Sequence, residues 1–204
     1  MTETTEYQIL SKVKKSKRGS AFFIENFLIK NNAESVRKSL ERLVKSGELQ
    51  RVATGIYVRP EKDPVLGFVS PSIETIIRAI AKRDKARIVP TGIYALNRLG
   101  LTSQVPMNIS YLTDGSARKV KIGKRTIVFK RTSPRNLATQ GEISTLAIQA
   151  LRSIGKDKVS AEEVEKITQL LKKENSTHLQ HDIRLAPEWI RQILKQALPQ
   201  TTNE

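Results

Sequence analysis

The chain contains no cysteine. That single absence removes disulfides, thiolate metal sites and cysteine nucleophiles together, and it suits a reducing compartment. Aromatic residues make up only 5% of its 204 residues, with one Trp, so a core must rest mainly on Ile, Leu, Val and Ala. No apolar run approaches membrane-spanning length, and the opening MTETTEYQIL lacks the basic-then-apolar layout of a secretion signal. A cytoplasmic protein with no membrane partner is expected. Enzymatic frames are missing too: there is no G-x-S-x-G, no G-x-G-x-x-G and no Walker A motif, and no acidic residue stands two places before a Lys, as restriction-type nucleases require. His178 and His181, the only two histidines, could share a helix face. Without a Cys ligand or an H-E-x-x-H frame they read as a surface pair rather than a metal site. Neither catalysis, a metal nor a cofactor is expected.

Acidic residues are scarce as well. The formal net charge is +16, from 36 Lys and Arg against 20 Asp and Glu. The imbalance is uneven. Residues 1–64 hold 13 cations against 8 acids, residues 65–140 hold 14 against 3, and residues 141–204 hold 9 against 9. A solubilising surface would not concentrate in this way. Such a field attracts polyanions, with DNA, RNA and acidic proteins as candidates, and charge alone does not choose among them.

Periodicity supplies the organisation. Ile9, Leu10 and Val13 give helical spacing to residues 5–15, followed by a basic turn ending in Gly19. A short strand over 21–23 and a short helix over 24–29 come next. Asn31 with Glu34 predicts a capping box, and Val36, Leu40, Leu43 and Val44 then mark one face of a longer helix that ends near Gly47. The β-prone runs 49–52 and 56–59, joined by Ala53-Thr54-Gly55, predict a hairpin. The polar, proline-flanked stretch 60–64 reads as a linker. Beyond it, Ser70-Pro71 predicts the start of a helix carrying Ile73, Ile76, Ile77 and Ile80. A short helix fits 92–99, strands fit 108–113, 118–122 and 126–131, and Gly123-Lys124 supplies a tight primed turn. The tail reads as helices over 143–154, 161–173 and 187–198, the second behind a Ser160-x-x-Glu163 capping box.

Two short helices, a third amphipathic helix and a hairpin are the parts of a winged helix-turn-helix. Packing Val36, Leu40, Leu43 and Val44 inward turns Ser35, Lys38, Arg42 and Lys45 outward, with Arg37 and Ser39 on the flanks. These residue types suit base edges and phosphates in a major groove. Arg51 and Thr54 would lie on the wing and Arg59 at its base. Glu34, Glu41 and Glu48 lie among these cations, so an ordinary solvated helix face is the bland alternative, as is a winged helix that docks only protein. Farther along, Arg118, Lys119, Lys121, Lys124, Arg125, Lys130, Arg131 and Arg135 crowd into 18 residues with almost no acid nearby. That run predicts a basic patch for DNA, RNA or protein, against the alternative of a merely solvated hairpin.

The stretch ESVRKSLERLVKSGELQRVATGIYVRP resembles the winged helix of the AbiEi family, the antitoxins of type IV toxin–antitoxin systems. The runs IVPTGIYALNRLGLTSQVP and SYLTDGSARKVKIGKRTIVFKRTSPRNL resemble the antitoxin domain that follows it in that family. The resemblance implies an antitoxin that represses its own operon through the winged helix and counters a nucleotidyltransferase toxin through the second domain. The expectation is therefore an α+β protein: a winged helix-turn-helix over 1–62 that binds double-stranded DNA at its own promoter, then a mixed α/β antitoxin-like domain over 66–204 with a small antiparallel sheet and C-terminal helices. A stand-alone winged-helix regulator with a dimerisation or sensing domain and an RNA-associated basic protein remain the alternatives from the residues themselves.

Overall fold

The computed structural model describes residues 4–28, 32–63, 67–69 and 71–198. The fold is α+β, with a small antiparallel sheet near the N-terminus, a mixed sheet in the middle and helices toward the C-terminus. No helix among the described residues is long and apolar enough to cross a membrane. Contacts divide the chain into two compact units, Met1–Arg83 with Lys121–Gly123, and Asp84–Val120 with Lys124–Glu204.

The first unit opens with α1 (Thr5–Lys15), capped by Thr4, whose side chain accepts from the Tyr7 N–H. Strand β1 (Ala21–Phe23), helix α2 (Glu25–Leu28), helix α3 (Ala33–Lys45) and strands β2 (Gln50–Ala53) and β3 (Ile56–Val58) follow. β3 lies between β1 and β2 and is antiparallel to both, so the hairpin is tied back to the helices through β1. Ile9, Val13, Phe22, Phe27, Val36, Leu40, Leu43, Leu49 and Tyr57 form the core. The N-cap of α3 is Asn32 rather than Asn31, which lies outside the described residues; the Asn32 Oδ1 accepts from the Glu34 N–H at 2.8 Å. Gly47 follows the C-cap at φ 75°, a conformation that penalises any residue with a Cβ, and lets the chain turn from α3 into β2.

Residues 60–64, expected as a linker, contribute β4 (Glu61–Asp63), which pairs with β5 (Gly67–Val69). Pairing satisfies backbone groups that a linker would leave to water, and Pro64 lies outside the described residues. The division between the units falls instead after α4 (Ile73–Arg83). This helix belongs with the first unit because its end is tied there. Arg83 stacks over the Phe23 ring at 4.3 Å and lies 4.0 Å from Glu25. Ser70 is outside the described residues; Ser72 caps α4 instead, its Oγ accepting from the Thr75 N–H.

The second unit is built on a sheet ordered β6 (Ile88–Thr91), β7 (Asn108–Thr113), β9 (Arg125–Arg131) and β8 (Arg118–Ile122). β6 and β7 are antiparallel, whereas β7 and β9 run parallel. Two reversals, into β8 at the edge and back through Gly123 at φ 58°, return the chain beside β7 in its original direction. The small sheet expected to be antiparallel is thus mixed, and β6 was not foreseen. Ile109, Tyr111, Thr113, Ile127 and Phe129 are buried on one face. Tyr94 of α5 (Ile93–Arg98) packs on Tyr111, and Tyr111 on Phe129, at centroid distances of 5.8 and 6.2 Å.

A one-turn 3-10 helix (Pro134–Leu137) leads into α6 (Glu142–Ile154), the central helix of a cluster completed by α7 (Ala161–Leu171), α8 (Ser176–Leu185) and α9 (Glu188–Lys195). Two carboxylates hold the start of α6. Buried Asp182 accepts from the Gln140 and Gly141 N–H groups at 2.8 and 2.9 Å and from Ser144 Oγ at 2.6 Å, and Glu174 Oε2 accepts from the Ile143 and Ser144 N–H groups. Negative charge is well placed there, because the first N–H groups of a helix have no partner within it.

Candidate nucleic-acid interface

Helix α3 presents its polar side as its apolar spacing requires. Ser35, Arg37, Lys38, Arg42 and Lys45 are exposed, while Val36, Leu40 and Leu43 are buried. Ser39 corrects the expectation: it is 4% exposed and lies on the packed side. It stands three residues after Val36 and four before Leu43, and that spacing places it inside the apolar stripe rather than beside it.

Two of the outward cations are paired on the surface. Lys38 Nζ is 2.7 Å from Glu34 Oε1, one turn earlier, and Arg42 Nη1 donates to Glu6 Oε2 at 3.1 Å. Both pairs are solvent-exposed, so each contributes no more than about 1 kcal/mol and yields readily to a phosphate. Arg37, Lys45 and Arg51 have no acidic partner among the described residues. The start of α1 and the face of α3 enclose a shallow depression of about 590 Å³ lined by Glu6, Tyr7, Leu10, Ser35, Lys38 and Arg42. Tyr7, 56% exposed at its mouth, was missed from the sequence. Its one available signal is that it stands three residues before Leu10, at the flank of the Ile9, Leu10, Val13 stripe.

The β2–β3 hairpin carries Arg51 and Thr54 exposed, with Gly55 at the turn and an irregularity in register between Arg51 and Ala53. Arg59 does not join them. It is half-buried and donates through Nη1 to the carbonyls of Lys14, at 2.9 Å, and Ser16. Cationic donors suit the unpaired carbonyls at a helix C-terminus, so Arg59 fastens α1 to the base of the hairpin.

In the second unit, Lys119, Lys124, Lys130, Arg131 and Arg135 are exposed and Arg125 is half-buried; Lys121, grouped with the first unit, is also exposed. Arg118 departs from the expected patch. Its guanidinium is bonded to Asp84 and lies over the Phe129 ring at 5.3 Å, so it closes the edge of the core. Since Arg118 shares the face of Phe129, strand alternation sets Lys119 on the opposite face of the sheet. His178 and His181 are both half-buried on α8, and His181 Nδ1 lies 2.9 Å from Asp182 Oδ1, beside the α6 cap. Among the described residues there is no group of three or more His, Cys, Asp or Glu arranged to hold a metal ion.

No curated protein matches the sequence significantly. Among solved structures, the crystal structure of the RV2827C protein from Mycobacterium tuberculosis is similar, with 13% identity and a TM-score of 0.43 over 98% of this chain and 84% of that one. Across residues 8–179 the sequence matches a family of unknown function, DUF6088, and the chain belongs to that family.

Proposed function

We propose that the chain is a DNA-binding transcriptional repressor that acts in the cytoplasm by binding rather than catalysis, its N-terminal elements serving as a winged helix-turn-helix. The observation that carries this reading is α3: an amphipathic helix with Ser35, Arg37, Lys38, Arg42 and Lys45 on its open side, followed by a hairpin that offers Arg51 and Thr54. Side chains of that kind on a helix read base edges while the hairpin touches the backbone. The antitoxin role, neutralising a nucleotidyltransferase toxin from the same operon, rests on the sequence resemblance to the AbiEi family. Autoregulation would place the operator at the gene's own promoter.

Mobility-shift titration of that promoter against a scrambled duplex of equal length tests the proposal. Arg37→Ala should weaken operator binding by about 1–3 kcal/mol if Arg37 reads a base, with a smaller loss on the scrambled duplex. Equal affinity of the unmodified protein for both duplexes would remove sequence-specific repression from the reading. Protection of cells expressing a neighbouring nucleotidyltransferase gene tests the antitoxin role separately.

A further inference from the structure

Helices α8 and α9 are joined by a tight turn at Ala186-Pro187 and leave a groove between them. Gln180, Ile183 and Arg184 line it from one turn of α8. Arg191, Lys195 and Leu198 line it at i, i+4 and i+7 along α9 and the turn after it, so each set occupies one side of its helix. The groove encloses about 380 Å³ and its lining is mainly apolar. Ile183, only 5% exposed, and half-buried Leu198 both pack on the core of the helical cluster and form the floor. Arg191 fixes the width. Its Nε and Nη2 donate to the Ile183 and Ala186 carbonyls at the end of α8, at 3.2 and 3.3 Å, while its Nη1 donates to Glu188 Oε2 at 2.8 Å. A guanidinium that ties the two helices makes the groove a preformed one.

The rim is positive and unneutralised. Arg184 and Lys195 are exposed, and neither has a carboxylate partner among the described residues. The acids of residues 180–198 are Asp182 and Glu188. Asp182 is turned to the start of α6 and Glu188 takes Arg191, so neither serves the rim. Lys and Arg can lay their methylene stems along an apolar surface while holding their charge at the water, and such a rim surrounds the aliphatic floor here. An occupant must satisfy both features. Nucleic acid meets the charge alone, because its bases stack on aromatic rings and the described lining residues include none. A lipid surface takes up apolar side chains that protrude, whereas Ile183 is recessed.

We propose that the groove between α8 and α9 docks an acidic segment of another protein. An aliphatic side chain of about the size of Leu sits on Ile183 and Leu198, and carboxylates beside it meet Arg184 and Lys195. The apolar contact supplies affinity, and the paired charges select acidic partners and reject basic ones. The surface belongs wholly to the second unit and does not rest on the DNA-binding reading.

The test uses the full chain and a capped, fluorescein-labelled synthetic peptide in which one Leu is flanked on each side by a pair of Glu, read by fluorescence anisotropy. Replacing the peptide's Leu by Ser, or its Glu by Gln, should each weaken binding by about tenfold, since each removes one half of the match. Arg184→Glu/Lys195→Glu, shown to be folded by its Trp189 fluorescence, should bind the acidic peptide about tenfold more weakly or worse and should take up the same peptide with Lys in place of Glu. Lys156→Glu/Lys158→Glu changes the net charge equally at two exposed sites outside the groove and should bind like the wild type. The peptide should also shift the methyl resonances of Ile183 and Leu198. A wild-type chain that ignores the peptide, equal weakening by the control pair, indifference to the loss of Leu, or methyl resonances that stay in place would each overturn the proposal. Self-association of the wild-type chain that Arg184→Glu/Lys195→Glu abolishes would give the groove to a second copy instead. Loss of duplex DNA affinity in that variant, but not in the control pair, would give it to nucleic acid.

Discussion

Asp182→Asn is the substitution whose cost the structure fixes most sharply. Asp182 is 0% exposed. Its Oδ1 accepts from the Gln140 N–H and lies 2.9 Å from His181 Nδ1, while Oδ2 accepts from the Gly141 N–H and from Ser144 Oγ. An Asn side chain has one acceptor and one donor end. Turned either way, its NH₂ meets a backbone N–H, of Gln140 or of Gly141, and leaves that donor buried and unpaired. An unsatisfied buried donor costs about 1–3 kcal/mol, and weakening the remaining charge-assisted bonds adds about 1 kcal/mol. Loss of the negative charge at the α6 N-terminus adds up to ~2 kcal/mol in a buried setting. The expected destabilisation is about 3–5 kcal/mol. Trp189, the only tryptophan, packs on the same helical cluster, so its fluorescence during urea unfolding reports this part of the chain. Ser144→Ala, which removes one hydroxyl donor and leaves the backbone bonds in place, should cost about 1 kcal/mol. A loss below 1 kcal/mol for Asp182→Asn, or a larger loss for Ser144→Ala, would refute the assignment of Asp182 as the anchor of α6.

Gly141→Ala should be destabilising at the same helix start by about 1–3 kcal/mol, since a Cβ there would sit 2.3 Å from Ser144 Oγ and 2.5 Å from Glu174 Oε2; a denaturation midpoint matching wild type would contradict it. Arg59→Ala should lower stability by about 1–3 kcal/mol through the lost bonds to the Lys14 and Ser16 carbonyls while leaving the salt slope of DNA binding unchanged. A flatter slope with intact stability would instead make Arg59 a phosphate contact.

Elements announced by periodicity or by a cap were readable. The α3 stripe, Gly47 after its C-cap, the hairpin around Gly55 and the Ser160–Glu163 capping box all rest on contacts between residues close in sequence. What escaped depended on partners far along the chain. Strand β6 carries Pro90 and has no alternating pattern of its own; it is a strand because β7, some twenty residues later, supplies its hydrogen bonds. The parallel pairing of β7 with β9 likewise follows from β8 taking the edge, which no local signal encodes. The same limit governs the candidate site. Burial of Ser39 was deducible from its spacing to Val36 and Leu43, but Arg59 and Arg118 look like any other surface cations until the α1 carbonyls and Asp84 are set beside them.

The few acids of the basic segment explain why its surface stays positive. Residues 65–140 contain only Glu74, Asp84 and Asp114. Asp84 takes Arg118, the cation that has been drawn over Phe129, and Asp114 Oδ1 accepts the backbone N–H of Arg87 at 2.8 Å, which ties the turn before β6 to the end of β7. Gly115 completes that junction, because a Cβ there would approach Ala86 to 2.9 Å. These two carboxylates are used for architecture, and little negative charge remains to neutralise Lys119, Lys124, Lys130, Arg131 and Arg135. Their mutual repulsion works against the compact state and is relieved when counter-charge arrives from outside. A fold that uses its acids to fix loops while leaving those cations open bears an electrostatic cost, and a bound polyanion, as the proposed function requires, would relieve it.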